Sequence, residues 1–151
     1  MKVWRAEAAE AVAVARLIAE FGEWWGQNVV PDDEIRASVE RIMAGDDGEY
    51  LLGAVDGGPV GVCQLRFRWS VWKSAEDCWL EDLYVQESAR RSGLGRALVE
   101  AAVERAHERG CKRIELDVNE DNAPALALYE ACGFLTEPKP PGPTLFIGRP
   151  L

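Results

Sequence analysis

Histidine is almost missing from this 151-residue chain: His107 is the only one. It sits in the polar stretch Glu104-Arg105-Ala106-His107-Glu108, which reads as the solvated face of a helix. The four cysteines, Cys63, Cys78, Cys111 and Cys132, form no CxxC pair. A protein zinc site needs clustered thiolates or imidazoles, so no metal is expected, and the cysteines read as reduced, partly buried thiols. Long apolar runs are missing too. Nothing approaches the roughly 20 consecutive residues of a membrane helix. The opening Met1-Lys2-Val3-Trp4-Arg5 lacks the apolar stretch and small-residue cleavage site of a signal peptide, so a cytoplasmic protein with no membrane partner is expected. Positive charge is in short supply: 17 Lys and Arg against 26 Asp and Glu leave a net charge of -9. That balance argues against nonspecific nucleic-acid or anionic-membrane binding. No repeat, low-complexity tract or linker interrupts the chain, and its length suits one domain over residues 1–151.

The patterns that are present alternate between strand and helix. Lys2–Arg5 reads as a short strand. From about Glu7 to Trp24, apolar residues recur at helical spacing (Val12, Ala15, Ile18, Ala19) until Trp24-Trp25-Gly26 and Pro31 break the pattern. Asp32-Asp33-Glu34 loads acid onto the first turn of a second helix ending near Gly45, where it complements the helix dipole. Strands are expected at Tyr50–Val55, Val60–Trp69 and about Cys78–Val85, the first two joined by the tight turn Asp56-Gly57-Gly58. A helix from about Gly93 to Arg109 is stopped by Gly110. A strand over Arg113–Val118, a short helix over Asn122–Ala131, an extended piece from Phe134 and a last strand over Thr144–Gly148 complete the order. This is an α/β arrangement with a largely antiparallel start.

One segment stands out against the acidic background. Arg90-Arg91-Ser92-Gly93-Leu94-Gly95-Arg96 follows a strand and opens a helix. A helix N-terminus offers unpaired N–H groups and partial positive charge, glycines let an anion come close to the backbone, and arginines add charge-assisted contacts. A P-loop would need Gly-Lys-Ser/Thr, whereas Gly95 is followed by Arg96-Ala97. A dinucleotide fingerprint would need its first glycine directly after the strand and a small third residue, but Leu98 takes that position. Both readings fail, leaving a site for a specific small anion.

The segment resembles the Arg/Gln-x-x-Gly-x-Gly pyrophosphate loop of the GCN5-related N-acetyltransferase (GNAT) superfamily, with Arg90, Gly93 and Gly95 in its positions. Downstream, Asn122-Ala123-Pro124-Ala125-Leu126-Ala127-Leu128-Tyr129-Glu130-Ala131-Cys132-Gly133-Phe134 resembles the superfamily's Asn-x-x-Ala-x-x-Leu-Tyr-x-x-x-Gly-Phe element. Two motifs in the right order carry the resemblance. It implies a single-domain GNAT-like α/β fold, with a mixed, mostly antiparallel sheet of about seven strands flanked by about four helices. It also implies acetyl-CoA as donor, held by Leu83, Tyr84, Val85, Arg90, Arg91, Gly93, Leu94, Gly95, Arg96 and Asn122.

Acetyl transfer to an amine requires the amine to lose a proton, a donor for the developing oxyanion, and a proton or other stabilisation for the leaving thiolate. The resemblance puts the Tyr129 hydroxyl near the coenzyme A sulfur, as the acid. Glu81 is the candidate base: in Trp79-Leu80-Glu81-Asp82-Leu83-Tyr84-Val85, adjacent carboxylates in a buried strand are costly unless solvated or used. Strand alternation is expected to point Glu81 and Asp82 to opposite faces, and Asp82 is assigned to substrate binding. Phe67-Arg68-Trp69-Ser70-Val71-Trp72-Lys73 followed by Leu80–Val85 looks like the diamine and thialysine acetyltransferase branch. That likeness implies a polyamine- or lysine-like amine, with Trp72 walling its pocket, and a homodimer. Trp24 and Trp25 would close the pocket through cation–π contact with an alkylammonium. A protein N-terminal or lysine acetyltransferase and a non-catalytic acyl-CoA-binding module remain the alternatives.

Overall fold

A computed structural model describes residues 1–26, 30–135 and 147–150. Strand β1 (Lys2–Arg5) leads through a short 3-10 turn at Ala8–Glu10 into α1 (Ala11–Trp25), followed by α2 (Asp32–Ala44). Then come β2 (Gly48–Ala54), β3 (Gly61–Ser70) and β4 (Ala75–Val85). A second 3-10 turn at Glu87–Ala89 precedes α3 (Leu94–Glu108), β5 (Ile114–Glu115) and α4 (Ala123–Ala131). The strands lie in the order β1-β2-β3-β4-β5. The first three pairings are antiparallel, β2–β3 and β3–β4 through direct hairpin connections and β1–β2 across the two intervening helices. β4 and β5 are parallel, which requires the crossover that α3 supplies. The described residues therefore hold five strands and not about seven. Most of the piece expected from Phe134, and most of the strand expected over Thr144–Gly148, lie outside the described residues.

Both faces of the sheet are covered. On one side α3 lays Leu94, Leu98, Val99, Ala102 and Ala106 onto Leu51, Cys63, Leu65, Phe67, Cys78 and Leu80. The recurrence at steps of three and four residues (Leu94, Leu98, Ala102, Ala106, with Val99 three before Ala102) is what a helix needs to bury one stripe. On the other side Val14, Leu17 and Val39 of α1 and α2 pack on Tyr50, Leu52 and Val62. Each of the larger aliphatic side chains so buried contributes about 1.5–3 kcal/mol.

A buried ion-pair network fixes the far end of α3 to the sheet. Glu49 is 6% exposed and receives Arg105 Nε at 2.7 Å, Arg105 Nη2 at 2.8 Å and Arg109 Nη1 at 3.0 Å. Arg109 also forks onto Glu76, with both contacts at 2.9 Å. Burial alone would raise the Glu49 carboxyl, but hydrogen bonds from Arg105 and Arg109 hold it below the usual carboxylate range. The opposite end of α3, its N-terminus, is thereby set rigidly beside the end of β4.

Candidate active site

Strands β4 and β5 touch only at Cys78↔Ile114 and Trp79↔Glu115. Beyond Trp79 they part, and among the described residues the strand expected over Arg113–Val118 is two residues long, Ile114–Glu115. From Leu80 to Val85 the outer edge of β4 faces this split, while its inner edge stays paired with β3. Backbone groups of Leu83, Tyr84 and Val85 therefore border an open wedge.

Glu81 lies at the centre of an irregularity in β4. The register runs Gln64↔Asp82 and then Leu65↔Leu80, so Glu81 is an extra residue with no partner on β3. This is a β-bulge, which re-aims side chains locally. Strict alternation would put Leu80 and Asp82 on one face. Instead Leu80 packs in the α3-side core, and past the bulge the residues packed there are Leu83 and Val85. Asp82 joins the opposite face, where Tyr84, two residues on, packs with the α1 and α2 cluster. The inserted residue thus sets Asp82 on the face opposite Leu80, which strict alternation would not.

The two carboxylates differ sharply. Glu81 is exposed; Asp82 is half-buried. Burial, reinforced by the charges of Glu81 and Asp117, pushes the Asp82 carboxyl from 3.8 up to about 6. Tyr129, on α4 across the split, is 8% exposed and packs its ring on Phe134 at 5.8 Å. Burial first, and then the charges of Cys63, Asp117 and Asp82, push its phenol up to about 12. It is therefore protonated at neutral pH and able to donate. Asp82, Asp117 and Tyr129 thus gather at the split. Sequence reasoning misses Asp117, whose only sign there is a carboxylate directly after an alternating strand.

The glycine-arginine segment forms the start of α3. Gly93 caps the helix at φ 91°, in the left-handed region that glycine enters without strain. Arg91 adopts φ 62°, a conformation that a β-carbon disfavours. Among the described residues, the backbone N–H groups of Gly93, Gly95 and Arg96 donate to no carbonyl. Leu94 N–H is weakly met by the Ser92 hydroxyl at 3.3 Å. A Cβ on Gly95 would sit 3.5 Å from Leu128 Cδ2, an ordinary contact, so the protein's own packing does not demand glycine there. What the glycine leaves open is access to the free N–H groups, which fits a pyrophosphate.

The arginines are not all free. Arg90 donates to the Val85 carbonyl at 3.0 Å and lies 4.9 Å over the Trp24 ring. Arg96 pairs with Glu100 at 2.7 Å. Arg91 has no ion pair among the described residues. Asn122 caps α4, its side chain accepting from Ala125 N–H at 3.3 Å. Trp25 meets Phe21 edge-on at 5.4 Å, and Phe21 stacks on Tyr84 at 5.6 Å, so the end of α1 reaches the end of β4. Trp72 is elsewhere: it is 95% exposed in the β3–β4 turn, roughly 20 Å along the strand from Asp82. It is not brought to this site within the chain. No group of metal-ligating side chains occurs among the described residues.

Residues 13–134 match the acetyltransferase (GNAT) family model, and the chain belongs to that family. It is an acetyltransferase, and acetyl-CoA is the donor its family uses. An aminoglycoside N(6')-acetyltransferase type 1 from Stenotrophomonas maltophilia is 30% identical over 133 residues, covering 86% of this chain and 83% of the relative. A thialysine N-epsilon-acetyltransferase from Bos taurus is 31% identical over 134 residues, covering 80% of this chain and 75% of the relative. A solved structure from Arthrobacter sp. FB24, itself only a candidate acetyltransferase, is 32% identical with a TM-score of 0.88, covering 100% of this chain and 96% of its own.

Proposed function

We propose that this chain, as one domain over residues 1–151, moves an acetyl group from acetyl-CoA to the primary amine of a small molecule within a ternary complex. The observation that supports this most is the convergence of three features at the β4–β5 split. These are Asp82 with its raised carboxyl, Tyr129 with its protonated phenol, and the unpaired N–H groups at the start of α3. The Stenotrophomonas and bovine relatives are named for acetylating amines on aminoglycosides and on thialysine.

The donor supplies a thioester. Gly93, Leu94, Gly95 and Arg96 hold its pyrophosphate with backbone N–H groups, and Arg91 adds a guanidinium that has no ion pair among the described residues. Arg90 joins on leaving the Val85 carbonyl. Backbone groups of Leu83, Tyr84 and Val85 receive the acetyl carbonyl and pantetheine arm in the wedge. Asp82 takes a proton from the ammonium, directly or through water. Its position makes it a better base than the exposed Glu81, whose charge attracts the cationic substrate. The neutral amine attacks the carbonyl carbon, the carbon–sulfur bond breaks, Tyr129 gives its proton to the departing sulfur, and the acylated nitrogen, which still carries two hydrogens, sheds one to solvent. Solvent then reprotonates Tyr129. The products are an amide and the free thiol. Trp25, with Trp24, flanks the cationic acceptor at the end of α1. The same reading has the enzyme working in the cytoplasm as a homodimer. Trp72, remote from its own site, is then available to a partner copy.

The test is thiol release from acetyl-CoA across a panel of polyamines, lysine analogues, aminoglycosides and peptides. Turnover of at least one small amine, lost in both Asp82→Asn and Tyr129→Phe, is the expected result. Turnover of peptides alone would favour a protein acetyltransferase. Binding of acetyl-CoA without turnover of any amine would favour a non-catalytic module.

A further inference from the structure

Trp79 is half-buried, yet it belongs to neither apolar cluster and has no aromatic or cationic partner among the described residues. Its neighbours Cys78 and Leu80 both pack in the α3-side core, so alternation turns the indole to the opposite face of the sheet. The same argument turns Arg66, between Leu65 and Phe67, and Glu115, between Ile114 and Leu116, to that face. Trp79 is in register with both. From β4 only Tyr84 joins the cluster under α1 and α2, so among the described residues those helices leave Trp79 uncovered. The carboxylates at the split share this floor. Asp82 lies there past the bulge, and Asp117, between Leu116 and Val118 of the α3-side core, is turned the same way. Asp82 and Trp79 face Gln64 and Arg66, which are two residues apart on β3, so they lie roughly 7 Å apart along the sheet. Charge is uneven over the floor. Arg66 is paired with Asp47 at 2.8 Å, and Glu115 is paired with Arg113. Glu81, Asp82 and Asp117 have no ion pair among the described residues. An uncompensated negative end thus adjoins a flat indole set between charge-balanced pairs.

We propose that Trp79 is the specificity-determining platform for the acceptor, and that the preferred substrate is an arylalkylamine with its ammonium at Asp82 and Asp117 and its aromatic ring on the indole. This rests on the small-amine reading above and names its substrate class. An arm of two or three carbons spans roughly 7 Å once the hydrogen bond from nitrogen to carboxylate is included. Two flat rings stack with an offset, and the ligand ring buries apolar surface without bringing charge. A second ammonium at this distance does less well. It would stand a strand spacing, roughly 5 Å, from the column of Arg66, so repulsion from that guanidinium offsets any cation–π attraction to the indole. A ring carrying several ammonium groups meets the same guanidinium.

The experiment measures, on the full chain, both calorimetric binding in the presence of coenzyme A and thiol release from acetyl-CoA. The amines are phenethylamine, cyclohexylethylamine, hexylamine, cadaverine and neamine. Wild type, Trp79→Phe and Trp79→Leu are compared after circular dichroism shows which are folded. The amines' own basicities are the same in every variant, so a change in their ratio isolates the platform. The expected result is that phenethylamine exceeds cyclohexylethylamine and hexylamine by about fivefold or more in kcat/KM in wild type. Trp79→Phe should keep most of this preference, and Trp79→Leu should bring the ratio near one. If amines are acetylated but the wild-type ratio is near one, the inference is overturned and the small-amine function stands, whether or not Trp79→Leu folds. A ratio that Trp79→Leu leaves unchanged has the same meaning. If phenethylamine binds and its affinity depends on Trp79, but no amine is acetylated, the inference stands and the function falls. A preference for cadaverine or neamine, or no binding and no turnover of any amine, overturns the inference.

Discussion

Replacing Asp82 with Asn should cost activity and add stability, and the two effects share one cause. Burial, and the charges of Glu81 and Asp117, raise this carboxyl from 3.8 to about 6. A carboxyl whose pKa is raised on folding binds its proton more tightly in the folded state. Stability is therefore greatest below pH 3.8, falls as pH rises, and reaches its lower plateau once pH passes the folded pKa. A tenfold change in proton affinity corresponds to about 1.4 kcal/mol. The rise from 3.8 to about 6 thus sets a ceiling of about 3 kcal/mol, reduced to about 1–2 kcal/mol because the side chain is only half-buried. Asn removes the charge and keeps the shape. At about pH 8 the variant should therefore melt roughly 3–6 °C above wild type, and at about pH 4 the two should converge. Thermal unfolding followed by circular dichroism across this range measures the difference. In parallel, kcat/KM of wild type should rise through about pH 6, with a further limb near 10 from the amine itself. Asp82→Asn should lose the lower limb and about a hundredfold in rate. If Asp82→Asn keeps that limb while Glu81→Gln removes it, or if no pH-dependent gain in stability appears, the assignment of Asp82 as base is wrong.

Tyr129→Phe should lower kcat by about ten- to a hundredfold with little change in acetyl-CoA KM, as measured by thiol release, because only the proton for the departing sulfur is removed. Arg91→Gly should stabilise the fold by about 0.5–1 kcal/mol by relieving the left-handed conformation at φ 62°, while raising the KM for acetyl-CoA severalfold. Glu49→Ala should destabilise by about 3 kcal/mol in denaturant melts, since it leaves Arg105 and Arg109 half-buried with unmet donors. Because the Glu49 carboxyl is held below 4.5, the stability it contributes in wild type is present above that pH and lost as pH falls further. Gly53→Ala would put a Cβ 2.8 Å from Leu94 Cδ1, so it should lift the first turn of α3 from the sheet, costing about 1–3 kcal/mol and raising the acetyl-CoA KM.

The proposed donor half of the site was legible because its chemistry is local. Phosphate binding at a helix start needs glycines and free N–H groups in consecutive positions, and Arg90–Arg96 displays them in one stretch. Helix boundaries near Asp32 and Gly110 were equally plain, since acid in a first turn and a terminal glycine act within a few residues. The neighbours of Asp82 across the sheet were less visible. Gln64 is a single amide in the apolar run Val62-Cys63-Gln64-Leu65, and nothing in that run says that Tyr50 and Asp82 stand beside it. The bulge at Glu81 was also hidden, because an inserted residue shows only when the partner strand's register is known. The branch resemblance made Trp72 a pocket wall, yet the hairpin carries it to the far end of the sheet, 95% exposed.

By itself, then, the sequence determined the family and the order of the elements that the described residues contain, and it pointed to the phosphate cradle proposed here, all from periodicity and motifs short along the chain. Only the tertiary structure decided where β4 and β5 part, which carboxylate is drawn into the low-dielectric interior, and which polar side chains share one floor. Those properties depend on cross-strand register and burial, which join residues distant in sequence and so leave no local pattern to read.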